Sequence, residues 1–241
     1  MIRGLYTALP DEARQFVERA VAAIVETRRK SGRVVVVTGS GPNVHEGVTT
    51  LIADLIHKHV IHGVTTSSAV IAHEMAGALD QVKRVDGREL GFSKEVLPRG
   101  YAFELTLMSD ELVQQLRHEM ILDMALIEKM QQLDGDVIIK AAGNMAYPMG
   151  LRSEQLAKDI LFFAKNKGLP FETVAGAGAD PRTMLGAGFA KNIPVLVTIP
   201  QLVGGGMVGL AVGDSISITE RSSRIADMLG SADVIIESAV A

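Results

Sequence analysis

Helix-like and strand-like hydrophobic periods alternate along these 241 residues, which predicts an α/β protein: one domain over residues 1–241, built on a single doubly wound, mostly parallel sheet of about six strands. Three observations carry the prediction. Short β-branched runs such as 34-VVVVT-38 are apolar on both faces, as strands covered on both sides by helices are. Amphipathic segments separate the runs, and parallel strands need such crossovers. Several of the runs end in Gly, Ser, Thr or Asn, residues that turn a chain sharply from strand into helix.

Each element is justified in turn. From Asp11 to Lys30, Phe16, Val17, Ala20, Val21, Ile24 and Val25 recur at three- and four-residue spacing, the stripe of an amphipathic helix. Its basic end, Arg28-Arg29-Lys30 with Arg33, suits the negative pole of a helix. The strand 34–38 follows, then a helix over 44–60, a strand 63-GVTTS-67 and a helix over 69–79. Residues 81–104 are charged, punctuated by Gly and Pro, and without a period; a lid, an oligomer contact or a mobile loop is expected there.

A long helix is expected over 109–133, with Ser109 as N-cap and Leu112 in its first buried turn. Its Met120, Ile121, Leu122, Met124, Ile127, Met130 and Leu133 are spaced to form core or subunit interface. The strand 136-DVIIKAA-142, a helix over 153–167 and the strand 170-PFETVAG-176 come next. A short helix over 181–190, the strand 193-IPVLVTIP-200, a helix near 222–229 and the strand 233-DVIIES-238 complete the pattern.

Composition narrows the function classes. A net charge of −4 argues against a dedicated nucleic-acid surface, because phosphate neutralisation needs clustered Lys and Arg. No cysteine is present, so disulfides and thiolate metal sites are excluded. No apolar run approaches the roughly 18 residues of a membrane span, and the N-terminal residues have no signal-like apolar core; a soluble cytoplasmic protein is expected. Aromatic residues make up 4% of the chain and Trp is absent, which leaves few platforms for stacking a flat ligand.

In open α/β sheets ligands bind beyond the carboxyl ends of the strands. The stretch 36-VVTGSGPNVHEGV-48 supplies Thr38, Gly39, Ser40, Gly41 and Asn43 at such an end. Later strand ends add Thr66, Ser67 and Ser68, then Gly143 and Asn144, then Gly176, Gly178 and Asp180, then Gly204, Gly205 and Gly206, then Glu237. Glycines let backbone N–H groups approach an anion closely, and a helix N-terminus adds partial positive charge, so a pyrophosphate or carboxylate fits such a rim. The first turn departs from the G-x-G-x-x-G fingerprint, because Val44 stands in the final position and glycine returns only at Gly47. Tight βα turns without any ligand are the alternative reading.

Five of the six histidines, His45, His57, His59, His62 and His73, fall within one short stretch. His57 and His59 point to different sides of a helix and His62 lies past its end, so no metal site is expected. His45 and His73 are placed at helix starts, where Glu46 or Glu74 would orient a neutral imidazole as acid or base. Capping of backbone groups is the alternative for both. Asp214, in 212-VGDSISITERSSR-224, either touches a ribose or caps a turn, and the cap is the favoured reading.

The stretch 43-NVHEGVTTLIADLIHKHVIHGVTTSSAVIAHEM-75 resembles the core of the deoxyhypusine synthase-like superfamily, in which an Asn-containing, Gly-ended turn leads a helix into a Thr-Thr strand end. The segment 167-KGLPFETVAGAGAD-180 is similar to the one that ends in a cofactor-contacting aspartate. The pair 194-PVLVTIPQLVGGG-206 and 226-ADMLGSADVIIES-238 resembles the family's Gly-Gly-Gly turn and following Gly-Ala-Asp strand. The resemblance implies a Rossmann-like fold, assembly into a dimer or tetramer, and an NAD site with contacts from Asn43, Thr66, Ser67, Glu74, Asp180, Gly204, Gly205 and Gly206.

There are departures from the pattern. Extra Gly-Ala residues precede Asp180, and His73-Glu74 replaces a run of acids. The sequence ends at Ala241, before the family's lysine-bearing segment, so a shortened member without deoxyhypusine synthase activity is expected. Its substrate would be a small amine or amino acid. The alternative is a non-catalytic nucleotide- or metabolite-binding protein.

Overall fold

The computed structural model describes residues 2–39, 47–141, 146–198, 200 and 204–238. Two helices open the chain, α1 (Ile2–Ala8) and α2 (Asp11–Arg29). Pro10 supplies the fixed φ that starts α2, while Asp11 and Glu12 in its first turn and Arg28 and Arg29 in its last complement the helix dipole. Strand β1 (Val34–Thr38) leads through Gly47, at φ 77°, into α3 (Val48–His57). Strand β2 (Gly63–Thr66) and helix α4 (Ser68–Met75) follow.

These strands belong to a four-stranded parallel sheet of order β6-β2-β1-β7, with β6 at Val195–Val197 and β7 at Val234–Ser238. Alternate residues of β1 go to opposite faces, which divides the core. Val36, Val64, Val195 and Val197 pack with Ile52 and Ile56 of α3, Val70 and Ile71 of α4, and four later helices. Those helices are α7 (Met149–Lys167), α8 (Phe171–Gly176), α9 (Met184–Lys191) and α10 (Gly206–Ser215). On the other face Val35 and Leu196 meet Ile225 and Met228 of α11 (Ile218–Gly230). The chain steps from β1 to β2 to β6 on one side and returns to β7 on the other, so the strand order reverses at β1.

The single six-stranded sheet expected from the sequence is not what forms. A second, antiparallel sheet of order β4-β3-β5 is built from β3 (Leu79–Asp86), β4 (Ala102–Thr106) and β5 (Asp136–Ala141). Two of these strands overlap 81–104, the segment expected to be irregular, and 136–141 pairs antiparallel to β3 instead of joining the parallel sheet. In β3 the two fully buried residues, Val82 and Val85, are three apart and so face opposite ways, which hides any alternation of apolar side chains.

Three further expectations are corrected. The helix over 109–133 is two helices, α5 (Asp110–Glu119) and α6 (Met124–Gln132). Met120 is extended between them, Asp123 accepts from Leu126 N at 2.9 Å to start α6, and Ile121 is 91% exposed. Residues 170–176 form α8 rather than a strand. Pro170 fixes the backbone at the helix start, and the Glu172 carboxylate is held by Arg221 and Val197 N, partners that the local sequence does not declare. Helices α1 and α10 occupy stretches read as terminus and glycine turn, and the helix over 153–167 extends back as α7 (Met149–Lys167).

The two N-terminal helices are far less covered than the rest, and Leu5 of α1 is 64% exposed. No residue of α2 is buried, and Phe16 and Val21 are 67% and 52% exposed. Among the described residues no helix is long and apolar enough to cross a membrane.

Candidate functional site

The register that pairs Val37 with Thr65 sets Thr38 beside Thr66, where β1 and β2 end. Both side chains lie on the face shared with Val36 and Val64, because residues two apart in a strand point the same way. Thr38 and Thr66 are each 3% exposed, and neither hydroxyl has a hydrogen-bond partner among the described residues. The Thr49 hydroxyl, in the first turn of α3, is likewise buried without one. Buried hydroxyls are normally bonded, since leaving one unsatisfied costs about 1–3 kcal/mol.

Around the two threonines the chain turns from strand to helix. Ser67 caps α4 by accepting from Val70 N, Ser68 is fully buried beneath it, and Gly39 donates its N–H to Ser238 O of β7 at 3.2 Å. From the neighbouring strand end Thr198 donates its N–H to Thr66 O at 3.0 Å, and the Thr65 and Thr198 hydroxyls are hydrogen bonded. The glycine turn also reaches this place. A Cβ on Gly204, which has φ +76°, would lie 3.1 Å from Cβ of Ala69 in the first turn of α4. Gly205 stands at the N-cap of α10, and a side chain on Gly206 would strike the Glu154 carboxylate of α7.

Thr38, Gly39, Thr66, Ser67, Ser68 and the 204–206 turn are thus gathered along one edge of the parallel sheet. Helices α4 and α10 begin there with their partial positive charge, and α3, the crossover from β1 to β2, starts from the same side. Ser40, Gly41, Asn43, His45, Gly143 and Asn144 lie outside the described residues.

Other sequence candidates have different work. Glu74 is fully buried, and its two carboxylate oxygens accept from Met184 N at 3.1 Å and Leu185 N at 2.8 Å, so it holds the N-terminus of α9. Burial pushes its carboxyl up to about 8 against the pull of those two amides. His73 sits in the last turn of α4, not at a helix start. Asp180 is bound by Arg182, whose side chain holds the carboxyl below its usual range. The next residue's carbonyl, Pro181 O, meets His57 Nε2 at 2.6 Å, at the far end of the ten-residue α3, about 15 Å along the helix from Gly47.

Asp214 lies within α10 and pairs with Lys165, so it does not cap a turn as expected. His62 accepts from Val34 N through Nδ1, and burial holds its pKa down. Among the described residues no three His, Asp or Glu side chains are grouped to hold a metal ion. Thr49 carries no motif in the sequence; its one local signal is its position two residues after Gly47 at a βα junction.

No family model matches the sequence, and no curated protein matches it. Among solved structures the chain is similar to the apo crystal structure of ArgZ, an arginine dihydrolase from the ornithine-ammonia cycle in cyanobacteria, with a TM-score of 0.47 and 13% sequence identity. The superposition covers 94% of this chain and 23% of that one, so the chain spans less than a quarter of the protein it matches.

Proposed function

We propose that the carboxyl edge of the parallel sheet binds a nucleotide, NAD in the first instance, in an enzyme of the deoxyhypusine synthase-like superfamily that acts on a small amine or amino acid. One observation carries the reading: Thr38 and Thr66 stand side by side, buried, with hydroxyls that no described residue satisfies. A ligand bearing phosphate and ribose oxygens would supply the missing partners, and the close approach at Gly204 leaves backbone accessible where a side chain would intrude. When bound, NAD would supply a hydride acceptor. The residues of this chain would hold and orient it.

A second reading, a binding protein without turnover, is favoured by Glu74, the carboxylate expected to orient the His73 imidazole, because it is committed to α9. We also propose assembly into a dimer or tetramer, supported by the uncovered apolar stripe of α2.

Thermal melting with NAD, NADP, ADP-ribose and coenzyme A tests the reading. A ligand at a hundred times its Kd stabilises the native state by about 2.7 kcal/mol. Thr66→Val should abolish the NAD shift while leaving the melting point of the free protein unchanged or slightly higher, since no described residue bonds the hydroxyl removed. No shift with any of the four nucleotides would end the proposal, and turnover of any amine or amino acid with NAD would decide between the two readings.

A further inference from the structure

A second concave site lies on the antiparallel sheet, away from the strand ends just described. Where the edge strand β4 meets the start of α7 there is an open hollow of about 620 Å³, walled by Phe103, Tyr147 and Leu151. Two arginines line it, Arg84 from β3 and Arg99 from the β3–β4 connection. Their situations differ.

Arg84 donates Nε and Nη2 to Glu104 Oε1 at 3.0 and 2.7 Å, and Lys140 donates to the other oxygen of the same carboxylate at 2.6 Å. Burial by itself would raise the Glu104 carboxyl, but the bonds from Lys140 and Arg84 outweigh it and hold the group ionised. Glu104 is therefore shared between two cations and cannot also neutralise a third. Asp80 and Asp136 stand opposite Lys140 and Arg84 across the strand pairs, yet neither lines the hollow.

Arg99 has no ion pair or hydrogen bond among the described residues, although it is not on a loose loop. Tyr101 donates its N–H to Pro98 O at 2.9 Å, closing a turn around Arg99 and Gly100, and Gly100 has φ +88°, a conformation glycine takes without strain. Phe92 stacks on Phe103 at 4.9 Å, and Arg88 lies 4.5 Å from the centre of the Tyr101 ring, so the connection is packed down on both sides of the turn. An arginine whose backbone is fixed at the rim of an apolar wall, beside an Arg84 whose Nη1 has no partner among the described residues, is an arrangement suited to a planar anion attached to a short carbon body.

We propose that this hollow binds a small carboxylic acid, its carboxylate gripped by Arg99 and the outer edge of Arg84 and its carbon chain laid on Phe103 and Leu151. The assignment is independent of the nucleotide reading, since neither the strand-end threonines nor the 204–206 turn contributes to it.

Isothermal titration of the full chain with glutarate, in the absence of any nucleotide, tests it. Saturable one-to-one binding is expected, weakened at least tenfold in Arg99→Gln and less in Arg99→Lys, which keeps the charge and loses the fork. Arg99 is exposed, so these variants should melt with the wild type, and their response to NAD is read separately so that failure of one site is not taken for failure of the other. Absence of saturable heat, or binding unaltered in Arg99→Gln, would overturn the proposal. Inorganic phosphate binding as tightly as glutarate with the same dependence on Arg99 would overturn the assignment to carboxylic acids.

Discussion

Glu172 and Glu74 are two carboxylates removed from water in different parts of one core, and they are handled in opposite ways. Around α8 and α11, Glu172 pairs with Arg221, and both side chains are essentially inaccessible. Glu172 also accepts from Val197 N at 2.6 Å, while Arg221 donates to Val197 O, to Val212 O at 2.8 Å and to Ser215 Oγ. Around α4 and α9, Glu74 has two backbone amides and, among the described residues, no cation. The first region neutralises a buried charge with another charge; the second leans on peptide dipoles, and burial pushes the proton affinity up. At equal depth the two carboxylates differ in their partners: a guanidinium in one region, peptide N–H groups in the other.

The comparison is broken most severely by removing one half of the ion pair. Glu172→Gln leaves the Arg221 guanidinium buried without its counter-charge and should cost about 3–5 kcal/mol, read as a lower urea midpoint with an unchanged m value. If the loss is under 1 kcal/mol, the pair is not what joins α8 to α11. Replacing both partners, Glu172→Gln with Arg221→Leu, should cost less than the sum of the single changes.

Titrating Glu74 is the next largest effect. Its folded pKa of about 8 lies above the ordinary value of 4.5, so the native state holds a proton that the unfolded chain releases. Its stabilising contribution is complete below about 4.5 and declines as pH rises, by up to about 1.4 kcal/mol per pH unit until the folded pKa is passed. Urea melts at pH 5.5, 7 and 8.5 should show the midpoint falling in the wild type relative to Glu74→Gln, which cannot ionise. A difference between the two proteins that stays constant across those pH values would mean that Glu74 is ionised throughout.

The smallest effect sharpens the contrast from outside the core. Lys165 and Asp214 form an ion pair with side chains 50% and 61% exposed, and Lys165→Ala should change stability by no more than about 0.5 kcal/mol, with high salt erasing what there is. A larger loss would show that pairing, rather than burial, sets the scale.

What could be read in the sequence follows from where the information lies. Strand β1 was legible because four consecutive valines declare a strand buried on both faces, and the start of α5 because Ser109 caps it in the usual manner, accepting from Leu112 N. The gathering of Thr38, Thr66 and the 204–206 turn along one edge followed from the rule that parallel strands carry their turns on one side. The antiparallel sheet was hidden by charged residues on its strands. Helix α8 was hidden by Phe, Thr and Val, which favour strands, and its conformation is decided by partners far along the chain: Glu172 reaches Arg221, 49 residues away. The service of Glu74 to α9 spans 110 residues and has no local signature at all.

Helix α9 has a consequence for the order in which the molecule assembles. It is eight residues long with Gly186 and Gly188 in its interior, each worth about 1 kcal/mol against helix formation, and so short a helix is marginal by itself in water. A side chain at either glycine would collide with backbone, Asp180 O for Gly186 and Ile193 O for Gly188, so the glycines cannot be exchanged for better helix formers. The segment is therefore expected to coil only once α4 delivers the Glu74 carboxyl, and its amides should exchange with solvent in step with those of α4.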